Sequence, residues 1–330
     1  MRILVIQPAF IGDAVISLSL AETIHAADPA AEIYYLVRPE SQTLLSYSPS
    51  LTQVLTYDKY NTESGKKGIE QKAEELNEYK FDAILCLHES QRTIELVKRL
   101  NAPIKIGSYT HPVFTESVIT PVADDRAVRA ASLARALFSQ VDTSLVAKLQ
   151  LPSSLLPSDF SSLPRPIACI APGSVWKTKR WPASSFVSLA DLLQEQGYSI
   201  ILTGLKTDVD SKIIDFDGLN TLNKRNYLSA LSLESTAAVI ANSDILISND
   251  SAPVHIAIAT GTPVIDIFGP TVADFGFAPR KEHGISIGEA DLWCRPCSVH
   301  GSHECPIHTH ECMTSIPAED ILKSVKKLLH

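Results

Sequence analysis

The sequence lacks the features that mark several large classes of protein. Its apolar runs are all shorter than the ~18 uncharged residues that a membrane span needs. The first run, Met1–Ile6, ends at Gln7 and Pro8 without the apolar core of a secretory signal. An excess of positive charge is also missing, because 29 Lys and Arg stand against 37 Asp and Glu, a net charge of −8. These absences predict a cytoplasmic protein that does not bind nucleic acid.

A glycine-rich dinucleotide loop is missing as well. No GxGxxG lies between the first predicted strand and the helix after it, which argues against a nicotinamide-dependent oxidoreductase. What the chain does have is length and apolar content. Its 330 residues, 45% of them hydrophobic, suffice for two domains at roughly 100–200 residues each.

Apolar runs alternate with segments of helical spacing along the chain. The predicted strands are Ile3–Ile6, Ile33–Val37, Val54–Tyr57, Asp82–Leu87, Ile104–Gly107, Ile167–Ala171, Ser199–Thr203, Asp244–Ser248 and Pro263–Phe268. The predicted helices are Ala14–Ala26, Lys67–Tyr79, Ser90–Leu100, Arg126–Phe138, Ala183–Gln196, Val209–Phe216, Leu233–Ala241, Ala252–Thr260 and a C-terminal helix over 316–330. Strands connected through helices predict α/β domains with doubly wound parallel sheets.

One segment interrupts this alternation. Residues 151–166 contain four prolines and five serines, which disfavour regular structure. We therefore predict a domain over 1–152, a linker over 153–166 and a second domain over 167–330. Doubly wound sheets bind ligands at the carboxyl ends of their strands, so two such domains predict a cleft between them. Ser315 and Pro317 favour the start of the C-terminal helix, whose apolar stripe needs a surface to pack on.

The turn after the first predicted strand holds Gly12 and Asp13. Gly12 permits a tight turn and the close approach of a ligand. Asp13 has two interpretations. Its local sequence is typical of a cap at the start of the next helix, and its place at the end of a strand suits a general base directed into the cleft.

The loop between Ala171 and Pro182 is the second candidate. Gly173 frees the backbone, Ser174 offers a hydroxyl, and three cations follow at Lys177, Lys179 and Arg180. A strand-to-helix loop of this composition suits phosphate binding, and a solvated basic turn is the alternative. The clustering of cations in an acidic chain favours phosphate.

The third candidate is the strand end at Ile247–His255. Asp250 or Ser251 can cap the next helix, and the N–H groups of Ser251 and Ala252 can bind a phosphate. His255 lies one turn further on. By itself this motif indicates an ordinary capped helix. Three such loops, each at the end of a predicted strand, together indicate a ligand site.

The three loops also carry a family resemblance. MRILVIQPAFIGDAVISLSL, PGSVWKTKRWP and SNDSAPVHIAIATGTPVIDIFGPT occur in order and resemble the ADP-heptose:lipopolysaccharide heptosyltransferases of glycosyltransferase family 9. The resemblance implies a GT-B fold, in which two Rossmann-like domains face each other across the active site and the C-terminal helix returns towards the first. It implies inverting transfer of heptose from ADP-heptose, bound by the second domain, to the lipopolysaccharide inner core (Kdo/heptose–lipid A), bound by the first.

The resemblance also implies roles for matching residues. Asp13 becomes the general base for the acceptor hydroxyl, and Lys179 stabilises the leaving diphosphate. The donor-binding set is Gly12, Gly173, Ser174, Val175, Lys179, Asp208, Leu231, Asp250, Ser251, Ala252 and His255. Within it, Asp208 is the candidate for the ribose and Leu231 for the adenine pocket. No cofactor is implied at the catalytic centre, and the enzyme would work at the cytoplasmic face of the inner membrane.

Two departures leave the donor sugar open. Ala252 stands where the family often has glycine, and Val175 and Trp176 occupy a variable position. The alternative functions are a nucleotide-sugar epimerase or a transferase of another sugar on the same fold. The KRWP and NDS strings resemble second-type heptosyltransferases slightly more closely.

On the acceptor side, the predicted helix after the strand Asp82–Leu87 is locally basic because it contains Arg92, Lys98 and Arg99. These cations suit lipid phosphates or acidic sugars, with a solvated helix face as the alternative. Lys59, Lys66 and Lys67 are further candidates in the preceding loop.

Six cysteines fall into two groups. Cys86 and Cys169 lie in apolar runs and are predicted core residues. Four others, Cys294, Cys297, Cys305 and Cys312, occupy a Cys/His-rich segment over 294–312 that starts with CxxC. This spacing suits a structural zinc site, while reduced thiols and a regulatory disulfide stay open as alternatives.

Overall fold

The computed structural model describes residues 1–121, 125–204, 223–289 and 291–329. The chain divides into two compact units, Met1–Gln150 and Leu151–His330. The predicted helix over 209–216 and the ribose candidate Asp208 lie outside the described residues.

The described residues of the first unit form a parallel sheet of six strands. These are β1 (Arg2–Ile6), β2 (Glu32–Val37), β3 (Gln53–Thr56), β4 (Ala83–Cys86), β5 (Ile104–Gly107) and β6 (Glu116–Ser117). Their order is β3-β2-β1-β4-β5-β6, and all neighbours run parallel. The central strand β1 is apolar because both faces of the sheet are covered, and its residues from Ile3 to Ile6 are fully buried.

The second unit repeats this arrangement in its described part. Its strands are β7 (Ile167–Ala171), β8 (Ser199–Leu202), β9 (Lys224–Asn226), β10 (Ile245–Asn249), β11 (Val264–Ile267) and β12 (Gly284–Ile287). They are ordered β12-β11-β10-β7-β8-β9 and are all parallel. From the β9 edge this is the same order as in the first unit, the doubly wound Rossmann order. The predicted α/β fold class is confirmed.

Helices cover these sheets. They are α1 (Ile11–Ile16), α2 (Leu18–Ala27), α3 (Gln42–Leu45), α4 (Gly65–Asn77), α5 (Gln91–Arg99), α6 (Arg126–Ala131), α7 (Ala183–Glu195), α8 (Leu233–Ala241), α9 (Ala252–Thr260), α10 (Glu311–Thr314) and α11 (Ala318–Leu329). Within the described ranges, no helix is both long and apolar enough to cross a bilayer.

The first predicted helix is in fact two. α1 begins at Ile11, earlier than predicted, and the break from α2 falls at Ser17. The Ser17 hydroxyl donates to the carbonyl of Ala14 at 2.9 Å and accepts from the hydroxyl of Tyr35 at 2.6 Å. A side chain that bonds back to the preceding turn competes with the helix backbone, which accounts for the break.

Residues 151–166 pack on the second unit. They form two short 3₁₀ turns, and Phe160 and Leu163 are buried. Asp159 forms an ion pair with Arg225 at 2.6 Å and accepts a hydrogen bond from the hydroxyl of Tyr227 at 2.7 Å. This segment is therefore anchored to the second sheet.

The C-terminal helix starts later than predicted. α11 begins at Ala318, and Ser315 belongs to the end of α10, where its hydroxyl donates to the carbonyl of Glu311 at 2.7 Å. Ile321 and Val325 of α11 join the core of the second unit with residues of α7. The course of α11 towards the first domain stays a prediction.

The strand order positions the candidate loops. In a doubly wound sheet, ligands bind at the carboxyl ends of the strands beside the point where the order reverses. That point lies between β1 and β4 in the first unit and between β7 and β10 in the second. The loops after β1, β7 and β10 are the three loops that the sequence predicts.

Candidate functional sites

The loop that joins β7 to α7, here the β7–α7 loop (Pro172–Trp181), is held at both ends by one side chain. Asn249 is fully buried at the end of β10. Its Nδ2 donates to the carbonyl of Pro172 at 2.7 Å, and its Oδ1 accepts from the N–H of Trp181 at 2.9 Å. Sequence reasoning missed Asn249, although it directly precedes Asp250. The loop is therefore anchored to the strand that carries the third candidate motif.

Lys179 is the buried cation of the β7–α7 loop. Its Nζ lies 2.6 Å from Oδ2 of Asp250, and the two side chains are only 11% and 5% exposed. The same Oδ2 accepts a hydrogen bond from the hydroxyl of Thr271 at 2.7 Å. Two predicted donor-binding residues from separate loops are thus brought into one buried ion pair.

Asp266 lies beside this pair on β11 and was not predicted as a site residue. It is fully buried, and neither carboxyl oxygen has a hydrogen-bond partner among the described residues. Burial, and next the charge of Asp250, raise the pKa of Asp266 well above its usual range. The neutral form is therefore favoured, so Asp266 does not compete with Asp250 for Lys179.

The N-cap residue of α9 does not cap the helix with its side chain. Ser251 is the N-cap residue but makes no side-chain cap bond, and its hydroxyl lies 3.4 Å from the carbonyl of Gly173 instead. The first-turn N–H groups of a helix without such a cap can bind an anion. Ala252 opens this helix. His255 is buried one turn on, with its ring 6.2 Å from that of Phe277.

The remaining predicted donor residues are spread along the second unit. Gly173 and Ser174 are buried at the start of the β7–α7 loop, whereas Val175 is 45% exposed. Leu231 is half-buried directly before Ser232, the N-cap of α8. The structure brings Lys179, Asp250 and Ser251 together, and the adenine role of Leu231 stays a prediction.

Asp13 lies inside the first turn of α1. The N-cap of this helix is Phe10, so the interpretation of Asp13 as a capping residue is wrong. Gly12 is likewise helical rather than part of a turn. Asp13 interacts electrostatically with Arg126 at the start of α6. Asp13 therefore lies just after the central strand β1, close to a cation.

A second cluster of polar side chains lies at the carboxyl end of the first sheet. We call it the Lys59 cluster, and its members are Arg38, Lys59, Tyr60, His88 and Arg92. Arg38 follows β2, Lys59 follows β3 and His88 follows β4. Lys59 Nζ lies 5.1 Å from the centroid of the exposed Tyr60 ring, and the guanidinium carbons of both arginines lie 5.3 Å from it. Of this set, Arg92 was a predicted acceptor residue and Lys59 a further candidate, whereas Arg38, Tyr60 and His88 were not predicted.

Lys59 is 3% exposed and has no ion-pair partner in the part of the chain that the structure describes. Its Nζ lies 3.1 Å from Nε2 of His88. Burial, then Arg38 and Arg92, lower the pKa of Lys59 to about 8, against a weaker opposing effect of Glu40. Burial, then Lys59, lower the pKa of His88 to about 4. The lysine therefore has a neutral partner at neutral pH.

The other two predicted acceptor cations are used within their own helix. Lys98 and Arg99 form ion pairs with Glu95 at 2.6 and 3.0 Å. The structure does not bring them into the Lys59 cluster. Their bonding favours the alternative that the sequence left open, a solvated helix face.

The four clustered thiols interact but do not form a metal site as placed. Cys294, Cys297 and Cys305 all influence the pKa of Cys312, which burial raises to about 11. Across the described ranges, no group of three or more His, Cys, Asp or Glu side chains is arranged to hold a metal ion. Structural zinc therefore stays a prediction from the cysteine spacing, and no chemistry is derived from it.

Comparison with known proteins gives one consistent family. Residues 70–308 match the profile of Glycosyltransferase family 9 (heptosyltransferase). The lipopolysaccharide heptosyltransferase 2 of Salmonella typhimurium is 27% identical over 313 residues, which cover 87% of each chain. Both matches include residues of both units.

Solved structures agree in fold. A glycosyl transferase family 9 protein from Veillonella parvula has a TM-score of 0.86 at 23% identity, covering 99% of this chain and 97% of its own. The E. coli ADP-heptose lps heptosyltransferase II has a TM-score of 0.77 at 21% identity, covering 100% and 98%. Two Rossmann-like units of the GT-B class are therefore confirmed, and a transferase is favoured over an epimerase.

Proposed function

Because the chain belongs to glycosyltransferase family 9, we propose that it transfers heptose from ADP-heptose to an inner-core acceptor of lipopolysaccharide. The observation that supports donor binding is the buried ion pair of Lys179 and Asp250 next to the start of α9. A leaving diphosphate gains negative charge, which an ammonium group and helix N–H groups stabilise. An ammonium has three hydrogens to donate, so Lys179 can bind phosphate while it keeps its bond to Asp250.

Asp13 is the proposed general base. It takes the proton of the acceptor hydroxyl while that oxygen attacks the anomeric carbon of the donor. The bond from that carbon to the diphosphate breaks in the same displacement, so the configuration inverts and ADP leaves. Its place just after the central strand β1, at the edge where doubly wound sheets bind ligands, supports the role.

ADP release from ADP-heptose, measured with and without a Kdo-containing lipid acceptor, tests this function. We expect release to require the acceptor. Asp13→Asn should lower kcat by about a thousandfold, within the range for loss of a general base, and leave the Kd of ADP unchanged. The control is Asp28→Asn, which removes a partly exposed carboxylate from the end of α2. Normal turnover by Asp13→Asn would show that the base is a different group.

The Lys59 cluster is the proposed site for the acceptor's anionic group, a carboxylate or a phosphate. Three cations converge there against one carboxylate, Glu40, which is ion-paired with Arg38 at 2.6 Å. Lys59 is buried beside a neutral imidazole. Arg92 also donates to the backbone carbonyl of Lys59, which links α5 to the loop after β3. An anion that enters this cluster supplies the charge that the protein itself leaves unbalanced.

A matched pair on α5 tests this assignment. Arg92→Gln removes a cation of the cluster, and Arg99→Gln removes one that is paired with Glu95 on the same helix. We expect Arg92→Gln to raise the acceptor KM by about tenfold or more, as expected for a charged hydrogen bond, with the donor KM unchanged. Arg99→Gln should change neither. Equal acceptor KM values for the two variants would contradict the assignment. Acceptors lacking either the carboxylate or the phosphates identify which anion is bound.

A further inference from the structure

The residue next to Lys179 is held by a distant segment of the chain. The N–H and the hydroxyl of Thr178 donate to the carbonyl of Ser302 at 3.1 and 2.8 Å. The same hydroxyl accepts from the N–H of Ser302 at 2.8 Å, and the carbonyl of Thr178 accepts from Nε2 of His310 at 2.8 Å. Ser302 and His310 lie 124 and 132 residues further along the chain. Every polar group of Thr178 is therefore bonded to the Cys/His-rich segment.

Gly301 lets this segment approach the stem of Lys179. Its φ is +91°, and a Cβ at this position would lie 3.1 Å from Cβ of Trp176 and 3.2 Å from Cγ of Lys179. A side chain would meet both a strained backbone conformation and crowded neighbours. Glycine is required here because the two segments lie against each other.

The same segment also supports the partner of Lys179. The Arg295 guanidinium donates to the carbonyl of Thr271 at 2.7 Å, and the hydroxyl of Thr271 donates to Asp250. The N–H of Cys297 donates to the carbonyl of Pro270, next to Thr271, at 2.9 Å. Both members of the ion pair are thus fixed from one side by residues 295–310.

We propose that the Cys/His-rich segment positions Lys179 for the donor diphosphate, with Gly301 and Thr178 as its positioning residues. This inference rests on the proposed function of Lys179. Within the loop, Lys177–Lys179 is a single 3₁₀ turn without a side-chain cap, so the contacts from residues 295–310 add to its anchoring. A lysine stem held in place before the ligand arrives loses less conformational freedom on binding.

Two glycines with similar backbones provide the test. Gly301→Ala and Gly197→Ala both place a side chain at positive φ, +91° and +86°, but nothing lies within 4 Å of the added Cβ at Gly197. We expect both variants to lose stability through the strained backbone, and Gly301→Ala to lose more because its Cβ also meets crowded neighbours. Only Gly301→Ala should raise the Kd of ADP, by about tenfold, corresponding to ~1.4 kcal/mol, with the acceptor KM unchanged. Equal ADP affinity in the two variants would overturn the proposal.

A second pair avoids the glycine backbone altogether. Thr178→Val removes the hydroxyl that bonds Ser302 in both directions, and Thr178→Ser keeps it. ADP affinity should fall in the valine variant and recover in the serine variant. A valine variant that binds ADP like the unmodified protein would also overturn the proposal.

A measurement without ligand separates this inference from the proposed function. The N–H groups of Lys179 and Arg180 bond to the carbonyls of Trp176 and Lys177 at 3.0 and 3.1 Å. Their hydrogen exchange should be faster in Gly301→Ala than in Gly197→Ala. Faster exchange with unchanged ADP affinity would refute the donor role of Lys179, whereas unchanged exchange would refute the positioning.

Discussion

The two units have the same strand order but give their buried lysines opposite surroundings. Lys179 in the second unit is paired with the carboxylate of Asp250, while Lys59 in the first lies against the imidazole of His88. The second site is electrically balanced before any ligand arrives. The first carries excess positive charge, and burial together with Arg38 and Arg92 lowers the pKa of Lys59.

This difference indicates two ways to prepare a cation for an anionic substrate. Under the proposed function, the preformed ion pair keeps both buried charges balanced in the empty protein, and the incoming diphosphate shares its cation. An unbalanced lysine destabilises the empty protein, and that strain is relieved when an anion binds. The two sites should therefore respond to loss of their lysines with opposite changes in stability.

The largest expected effect is at the balanced site. Among the described residues, Lys179→Met leaves the buried Asp250 carboxylate with one side-chain hydrogen bond, from the hydroxyl of Thr271. Breaking a buried pair in this way should lower the free energy of unfolding by about 3–5 kcal/mol. All three tryptophans lie in the second unit, so their fluorescence during denaturation reports this unit. Adding Asp250→Asn should restore most of the stability but not ADP binding. A Lys179→Met variant as stable as the unmodified protein would contradict the proposed difference between Lys179 and Lys59.

Lys59→Met should have the opposite effect on folding. The charged lysine is disfavoured where it lies, so the free energy of unfolding should stay equal or rise by about 1 kcal/mol. The acceptor KM should nevertheless increase by about tenfold, because a charged contact is lost. Thermal denaturation followed by circular dichroism, with acceptor kinetics, checks both. A loss of stability as large as that of Lys179→Met would show that the two sites do not differ.

The pH dependence sharpens the comparison further. Lys59 has a pKa of about 8, below the ordinary 10.5, with Arg38, Arg92, Glu40 and His88 as its charged or titratable neighbours. Its charge is lost as the pH rises through 8, so the acceptor KM should increase between pH 7 and 9. The unfolded state binds more protons between about pH 8 and 10.5, so Lys59 contributes rising stability there. Lys59→Met should abolish both trends, and a flat acceptor profile in the unmodified protein would contradict them.

The smallest effect is expected at Tyr60. Its ring is the common neighbour of the three cations of the Lys59 cluster. Tyr60→Ala should raise the acceptor KM by about two- to fivefold, the size of an exposed cation–π contact. Tyr60→Phe keeps the ring and serves as the control. Equal KM values for the alanine and phenylalanine variants would remove Tyr60 from the site.

Features that depend on neighbouring residues in the sequence could be predicted, whereas contacts between residues far apart in the sequence could not. The inner strands and the loops after β1, β7 and β10 could be predicted, because burial on both faces produces apolar runs that end in polar residues. The edge strands β6, β9 and β12 lack such runs and were missed. Arg38 and His88 were missed for a different reason. Their association with Lys59 results from the lateral order of the strands, which no local pattern contains.

The two hydrogen bonds of the Asn249 side chain limit which positions of the β7–α7 loop can be substituted without disturbing the fold. The Asn249 side chain forms hydrogen bonds with Pro172 and Trp181, so both ends of the β7–α7 loop are fixed to β10. Its length and its anchor points are fixed, but the exposed Val175 lies away from both. Under the proposed function, substitutions at Val175 are expected to alter what the loop presents to the donor sugar without disturbing the sheet. On that proposal, we expect new donor preferences to arise at this position while the proposed diphosphate site is preserved.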